Sequence, residues 1–315
     1  MATVEAEGLT RTYGPVLAVD RLSFTVEEGR ILGVLGPNGA GKTTAIRMLT
    51  TILRPSSGRF AVAGVPGERE RDVRRMIGVL PESAGYPGRE TGEEYLAYHA
   101  RLHGRPPADA MATARRLLGE VGLSDRAAAL IHTYSRGMRQ RLGIARVLVN
   151  DPAVVFLDEP TLGLDPQGQR DVLEMVGRMA SERGVTVLIS THLLDEVEQV
   201  CSDVLILNHG RAAALGPVAS VVRRAAAPRS ARLRTDPTRC DDAARVLGAL
   251  EAVSSAGATP PGRPGEVAVA FAPGVNADAA AAAALRALLD AGIPVAEFAL
   301  EGGRLSDAFL EVVSG

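Results

Sequence analysis

The segment GPNGAGKTT, Gly36 to Thr44, follows directly on the apolar run ILGVL and restricts the fold more than any other part of the chain. A buried strand has to end there, a glycine-rich turn has to redirect the backbone, and a helix has to start near Lys42. Glycines in such a turn let successive amide groups point at one anion, and the helix that follows adds the positive end of its dipole. The chemistry that fits is a polyphosphate cradle at the end of a strand in an α/β domain. Lys42 is expected to reach the terminal phosphates and Thr43 to ligate Mg²⁺. Asn38, Gly39, Gly41 and Thr44 are expected to hydrogen-bond along the phosphate chain, with Gly36, Pro37 and Ala40 completing the binding turn.

From Val4 to about Gly216, short apolar runs alternate with helical patterns, which predicts a mainly parallel sheet covered by helices. AVVFLD at Ala153 to Asp158 and VTVLIS at Val185 to Ser190 read as further buried strands. Between the cradle and these strands, from Thr91 to about Leu148, the signal is helical. Thr91 and Glu94 have the spacing of a capping box, and MATARRLLGEVGL keeps an apolar stripe near the 3.6-residue period. The expected division is a nucleotide-binding domain over 1–226, with an inserted helical subdomain at about 86–150, and a small α+β accessory domain over 230–315. The stretch AAAPRS, small and proline-containing, reads as the linker between them. The second domain reads as β-α-β-β-α-β-α. Its turn-rich loop is ATPPGRPG, its last helix lies in LSDAFLEVV, and Leu285, Leu288 and Leu289 are the expected packing face of its alanine-rich helix.

Composition bears on partners and location. A chain of 315 residues with 46% hydrophobic content can bury a large core, but its net charge of −2 offers no basic footprint for nucleic acid, so no nucleic-acid partner is expected. The start, MATVEAEGL, lacks the basic region and apolar core of a signal peptide, and no run of about 18 apolar residues could span a bilayer. A cytoplasmic location without direct membrane insertion is therefore expected. Cys201 and Cys240 have no metal-like spacing and read as ordinary thiols, and Arg223, Arg224, Arg229, Arg232 and Arg234 read as solvated charges around the linker.

Further motifs follow in order. VVFLDEP ends an apolar strand with Asp158 and Glu159, both expected to be exposed at its end. Neighbouring side chains on a strand point to opposite faces, which suggests separate tasks: Asp158 supporting the Mg²⁺ shell, Glu159 orienting or deprotonating an attacking water. In YSRGMRQRL, Ser135 can cap the following helix and leave its free amides facing an anion. With Gly137 and Gln140, this segment resembles the LSGGQ signature of ABC ATPases, which other phosphate-loop enzymes lack.

The resemblance implies a head-to-tail dimer of two copies with two ATP molecules in its interface, each held by the cradle of one copy and the signature of the other. It implies that Tyr13 of TRTYG stacks on adenine, that Asp165 of GLDP belongs to the loop coupling the two sites, and that His192 of STH is the switch histidine near the γ-phosphate. Two positions depart from the common pattern. Glu82 of LPES stands where many relatives have a glutamine that contacts Mg²⁺ or water, and Arg136 replaces the first signature glycine. Both are similar to the branch of exporter ATPases that includes daunorubicin-type resistance and sodium-extrusion subunits. The function so implied is ATP hydrolysis by an exporter subunit that drives a separate transmembrane permease for drug, lipid, polysaccharide or ion efflux, peripheral on the inner face of the membrane. The competing reading is a non-transport ABC ATPase acting on ribosome or DNA. Against it, no sustained heptads lie between Thr44 and Ser135, and the chain carries one cassette.

Overall fold

The computed structural model describes residues 2–225, 230–258, 265–301, 305–306 and 308–309. Two compact units emerge, Met1–Val218 and Ala219–Gly315. The first holds two sheets. Strands β1 (Ala2–Tyr13) and β2 (Val16–Glu27) leave only Gly14 and Pro15 between them, too few residues for a crossover, so they pair antiparallel. After β3 (Ile31–Leu35) and helix α1 (Lys42–Leu49), β4 (Ser57–Val62) and the two-residue β5 (Val65–Pro66) complete an antiparallel sheet ordered β2-β1-β4-β5. This sheet departs from the sequence expectation of one mainly parallel sheet from Val4 onward. The alternating burial along β1 and β2, one face inward, is the antiparallel pattern.

The second sheet is the expected parallel one. It continues through α2 (Glu70–Met76), β6 (Ile77–Leu80), helices α3 (Gly92–Leu102), α4 (Pro107–Glu120) and α5 (Arg136–Val147), then β7 (Val154–Asp158). It closes with α6 (Pro166–Arg183), β8 (Thr186–Ser190), α7 (Leu194–Val200), β9 (Asp203–Asn208) and β10 (Arg211–Pro217), before α8 (Val218–Ala225). The order is β10-β9-β3-β8-β7-β6, parallel except at the β10 edge. His209 (φ 47°) and Gly210 (φ 78°) form the two-residue β9–β10 turn, both in the left-handed region that such hairpins require.

Why β3, β7 and β8 are uninterrupted apolar runs is visible in where their side chains go. Val154, Phe156 and Leu188 pack on one face of the sheet with Ile46, Leu49 and Phe60. Val155, Leu157, Val187 and Ile189 pack on the other with Leu96, Leu117, Leu142 and Val176. Both faces are covered, so polar alternation disappears. The helical insertion is anchored by its predicted capping box: the Glu94 amide donates to Thr91 Oγ1 and the Thr91 amide to Glu94 Oε2.

In the second unit, β11 (Ser230–Arg234), α9 (Cys240–Gly248), β12 (Val253–Ala258), β13 (Glu266–Phe271), α10 (Ala277–Asp290) and β14 (Glu297–Glu301) build an antiparallel sheet ordered β12-β13-β11-β14. One expectation is corrected here. Helix α10 packs through Ala277, Ala280, Ala281, Ala284 and Leu288, whereas Leu289 is exposed; the small residues themselves are the inner face. Linker positions 226–229, loop positions 259–264 and most of the final helix lie outside the described residues, as do the side chains of Arg223, Arg224 and Arg229.

Candidate nucleotide site

Strands β3, β8 and β7 are neighbours in the sheet, and their carboxyl ends deliver three segments to one edge. That edge is where parallel α/β sheets hold ligands. β3 runs into the glycine turn and α1, whose first amides at Lys42, Thr43 and Thr44 have no carbonyl partner one turn back. Gly41 has φ 103°, and a Cβ there would stand 2.5 Å from the Ala18 carbonyl oxygen, so the turn fits only glycine at that position. The β9–β10 turn buttresses it, the Gly210 amide donating to the Ala40 carbonyl at 3.0 Å. Lys42 is buried; its Nζ donates to the carbonyls of Gly36 at 2.6 Å and Pro37 at 3.3 Å, which holds the ammonium across the mouth of the turn.

β7 delivers Asp158 and Glu159, but not as the sequence suggested. Asp158 is buried, not exposed, and its Oδ1 accepts a hydrogen bond from Ser190 Oγ. Glu159 has φ 49°, outside the extended region, so a left-handed turn and not strand alternation separates the two carboxylates. The Glu159 amide donates to the Ser190 carbonyl at 3.0 Å, tying the end of β7 to that of β8. β8 then delivers His192, whose Nδ1 donates to Glu159 Oε2 at 2.8 Å. Thr191 steadies this stretch: its hydroxyl donates to the buried Glu196 Oε2 at 2.7 Å and accepts from the Leu193 amide.

A cleft of about 610 Å³ results. It brings together the turn from Asn38 through Thr44, Glu82, Glu159 and His192, and it adds Ala18 and Leu162, which the sequence did not single out. Lys42 lines it, whereas Gly36, Pro37 and the buried Asp158 do not. Tyr13, Ser135, Gly137, Gln140 and Asp165 do not line it. Tyr13 is half-exposed at the end of β1 with the Arg11 guanidinium 4.9 Å from its ring centre. Ser135 caps α5 by accepting from the Met138 amide at 3.2 Å, Asp165 caps α6 by accepting from the Gly168 amide at 2.8 Å, and Gln140 Nε2 donates to the Pro160 carbonyl. A side chain at Gly137 would meet no atom within 4 Å.

Thr43, Asp158 and Glu82 offer only hard oxygen donors, the chemistry Mg²⁺ prefers. Among the described residues no three His, Cys, Asp or Glu side chains gather into a self-sufficient metal cage. Such a donor set fits an ion completed by phosphate oxygens and water. The cleft therefore combines an anion cradle, oxygen donors for a divalent ion, and a carboxylate held by an imidazole.

The chain is similar to known proteins. The ABC transporter family profile matches residues 19–162. The daunorubicin/doxorubicin resistance ATP-binding protein DrrA of Streptomyces peucetius is 44% identical over 214 residues, 68% of this chain and 64% of its own length. The daunorubicin resistance ATP-binding protein DrrA3 of Streptomyces coeruleorubidus is 35% identical over 311 residues, 98% of this chain and 95% of its own. Among solved structures, an ATP-binding subunit of an ABC transporter superposes with a TM-score of 0.64 at 29% identity, over 70% of this chain and 92% of that one.

Proposed function

The chain belongs to the ABC transporter family, among the ATP-binding subunits of type-2 exporters, and on that premise we propose that it hydrolyses Mg·ATP as a head-to-tail dimer that drives a separate transmembrane permease. The observation that carries this reading is the convergence of the Asn38–Thr44 cradle, Glu159 and His192 in one cleft from three separate chain segments. The polyphosphate lies along the turn, with Lys42 leaving the Gly36 and Pro37 carbonyls for the terminal phosphate oxygens. Thr43, Asp158 and Glu82 would hold Mg²⁺ together with the phosphates, and the ion would supply charge neutralisation there. Glu159 orients the attacking water and accepts its proton, and His192, bonded to the same carboxylate, holds it in place.

Gly137 supports the dimer. Glycine is a poorer helix former than alanine, and nothing within the chain requires it there. Close approach of the partner's nucleotide to the Ser135–Gly137 end of α5 supplies the reason, with Gln140 and Asp165 holding adjoining loops and Tyr13 stacking on adenine. We take residues 1–226 as the ATPase domain, with its helical subdomain at about 86–150, and 230–315 as the accessory domain; the two compact units support a two-domain division, with their boundary earlier, after Val218. No helix among the described residues is long and apolar enough to cross a membrane, which suits a subunit held peripherally, at the inner face of the membrane, through its permease. Further relatives, whose names speak of bacitracin transport and Nod factor export, favour export over action on ribosome or DNA.

The test is Mg·ATP-dependent dimerisation of the Glu159→Gln chain by light scattering, with Lys42→Ala as control. The expected outcome is a dimer that forms only with ATP and only in the first variant, with turnover lowered about a hundredfold or more. Unchanged turnover in Glu159→Gln would remove Glu159 from the reaction.

A further inference from the structure

Arg136 occupies a signature position where glycine is the common residue, and its side chain turns back into its own chain. Arg136 Nη2 donates to the Leu162 carbonyl at 2.7 Å, and the guanidinium lies so close to the next residue that a Cβ on Gly163 would stand 2.4 Å from Arg136 Cζ. One helical turn further along the same face of α5, Gln140 Nε2 donates to the Pro160 carbonyl. Two side chains of one helix thus hold two alternate carbonyls of the segment that follows Glu159. Thr161, between them, is buried.

That segment is also hydrogen-bonded within itself. The Leu162 amide donates to the Glu159 carbonyl at 3.2 Å and the Leu164 amide to the Thr161 carbonyl at 3.1 Å, so residues 159–164 form two linked turns. At one end stands the Glu159 carboxylate, and Leu162 lines the same cleft. We propose that Arg136 and Gln140 are positioning residues, a two-point clamp through which the start of α5 sets the placement of Glu159 and Leu162 in the same chain. The proposal rests on the two-site ATPase reading. There, the start of α5 serves the partner's nucleotide while Glu159 serves its own, so the clamp carries the state of one site to the other without passing through the phosphate cradle.

The experiment uses the full chain and compares it with Arg136→Ala and Gln140→Ala. It measures steady-state ATP hydrolysis over a range of ATP concentrations, and amide hydrogen exchange of the peptide covering 159–164. Both side chains are at least partly exposed, and alanine preserves the helix. Expected in each variant are faster exchange at 161–164, kcat lowered about tenfold, KM for ATP within about twofold, and a Hill coefficient falling toward 1. A merely structural loss would not divide kcat from KM in this way. Unchanged exchange would overturn the clamp, and faster exchange with unchanged kcat and cooperativity would overturn its positioning role. An unsubstituted chain that neither hydrolyses ATP nor shows cooperativity would overturn the ATPase premise instead, and the clamp's role with it, before any variant is compared.

Discussion

At the scale of single residues, the nucleotide cradle is the part most open to a decisive substitution. Gly41 combines a left-handed backbone with a carbonyl 2.5 Å from where a Cβ would stand, so Gly41→Ala has to move either the turn or β2. A strain of about 1–3 kcal/mol is expected, read as a tenfold to hundredfold loss of nucleotide affinity in equilibrium binding. The cradle was legible because its requirements are local: a strand, a turn with glycines, and a helix start, all within fifteen residues. Asp158 and Glu159 were legible as a pair but not in geometry, since a positive φ at a glutamate leaves no mark in the residue type. Ser190, which donates to Asp158, and Leu162, which lines the cleft, were not singled out at all. Both act through neighbours more than twenty residues distant from their partners or from the cradle, and nothing in their own surroundings announces it.

At the scale of elements, helix α3 shows how a sequence signal and a hidden environment can sit within one short helix. Its capping box was visible in Thr91 and Glu94, because that device depends only on spacing. The environment of His99 was not. Burial, then the nearby Arg146 and His103, push its pKa from 6.5 to about 4, and its ring stands edge-on to Tyr95 at 4.6 Å. The unfolded chain takes up this proton near pH 6.5, whereas the folded chain does so only near 4. Between those values the unfolded state binds more protons, so His99 makes stability fall as pH drops through that window, with no further loss below it. The melting temperature of His99→Phe is therefore expected to decline less between pH 7 and 4 than that of the unsubstituted chain. An identical decline in both would show that other groups govern the acid limb. The β1–β2 hairpin makes a complementary point: two residues between long alternating strands were the signal for antiparallel pairing, and the parallel pattern of the strands that follow masked it.

At the scale of the whole molecule, each compact unit has its own core, Phe156 with Val154, Leu188 and Ile46 in one, Leu233, Leu247, Val267 and Leu288 in the other. Independent cores predict independent folding. A chain ending after Ala225 is expected to bind ATP within about twofold of the full chain in isothermal titration; a larger loss would mean that the cradle depends on the second unit. The order β3-β8-β7 carries one more consequence, for the moment of synthesis. The strand bearing the cradle emerges first and the strand bearing the carboxylates second, yet they are not neighbours, and the strand that must lie between them emerges last. A growing chain thus carries the two halves of a phosphate-cleaving machine for some thirty residues with an open slot between them. Only the insertion of β8 closes the slot and brings in His192, so the cradle, the carboxylates and the imidazole cannot share one cleft before that strand has emerged.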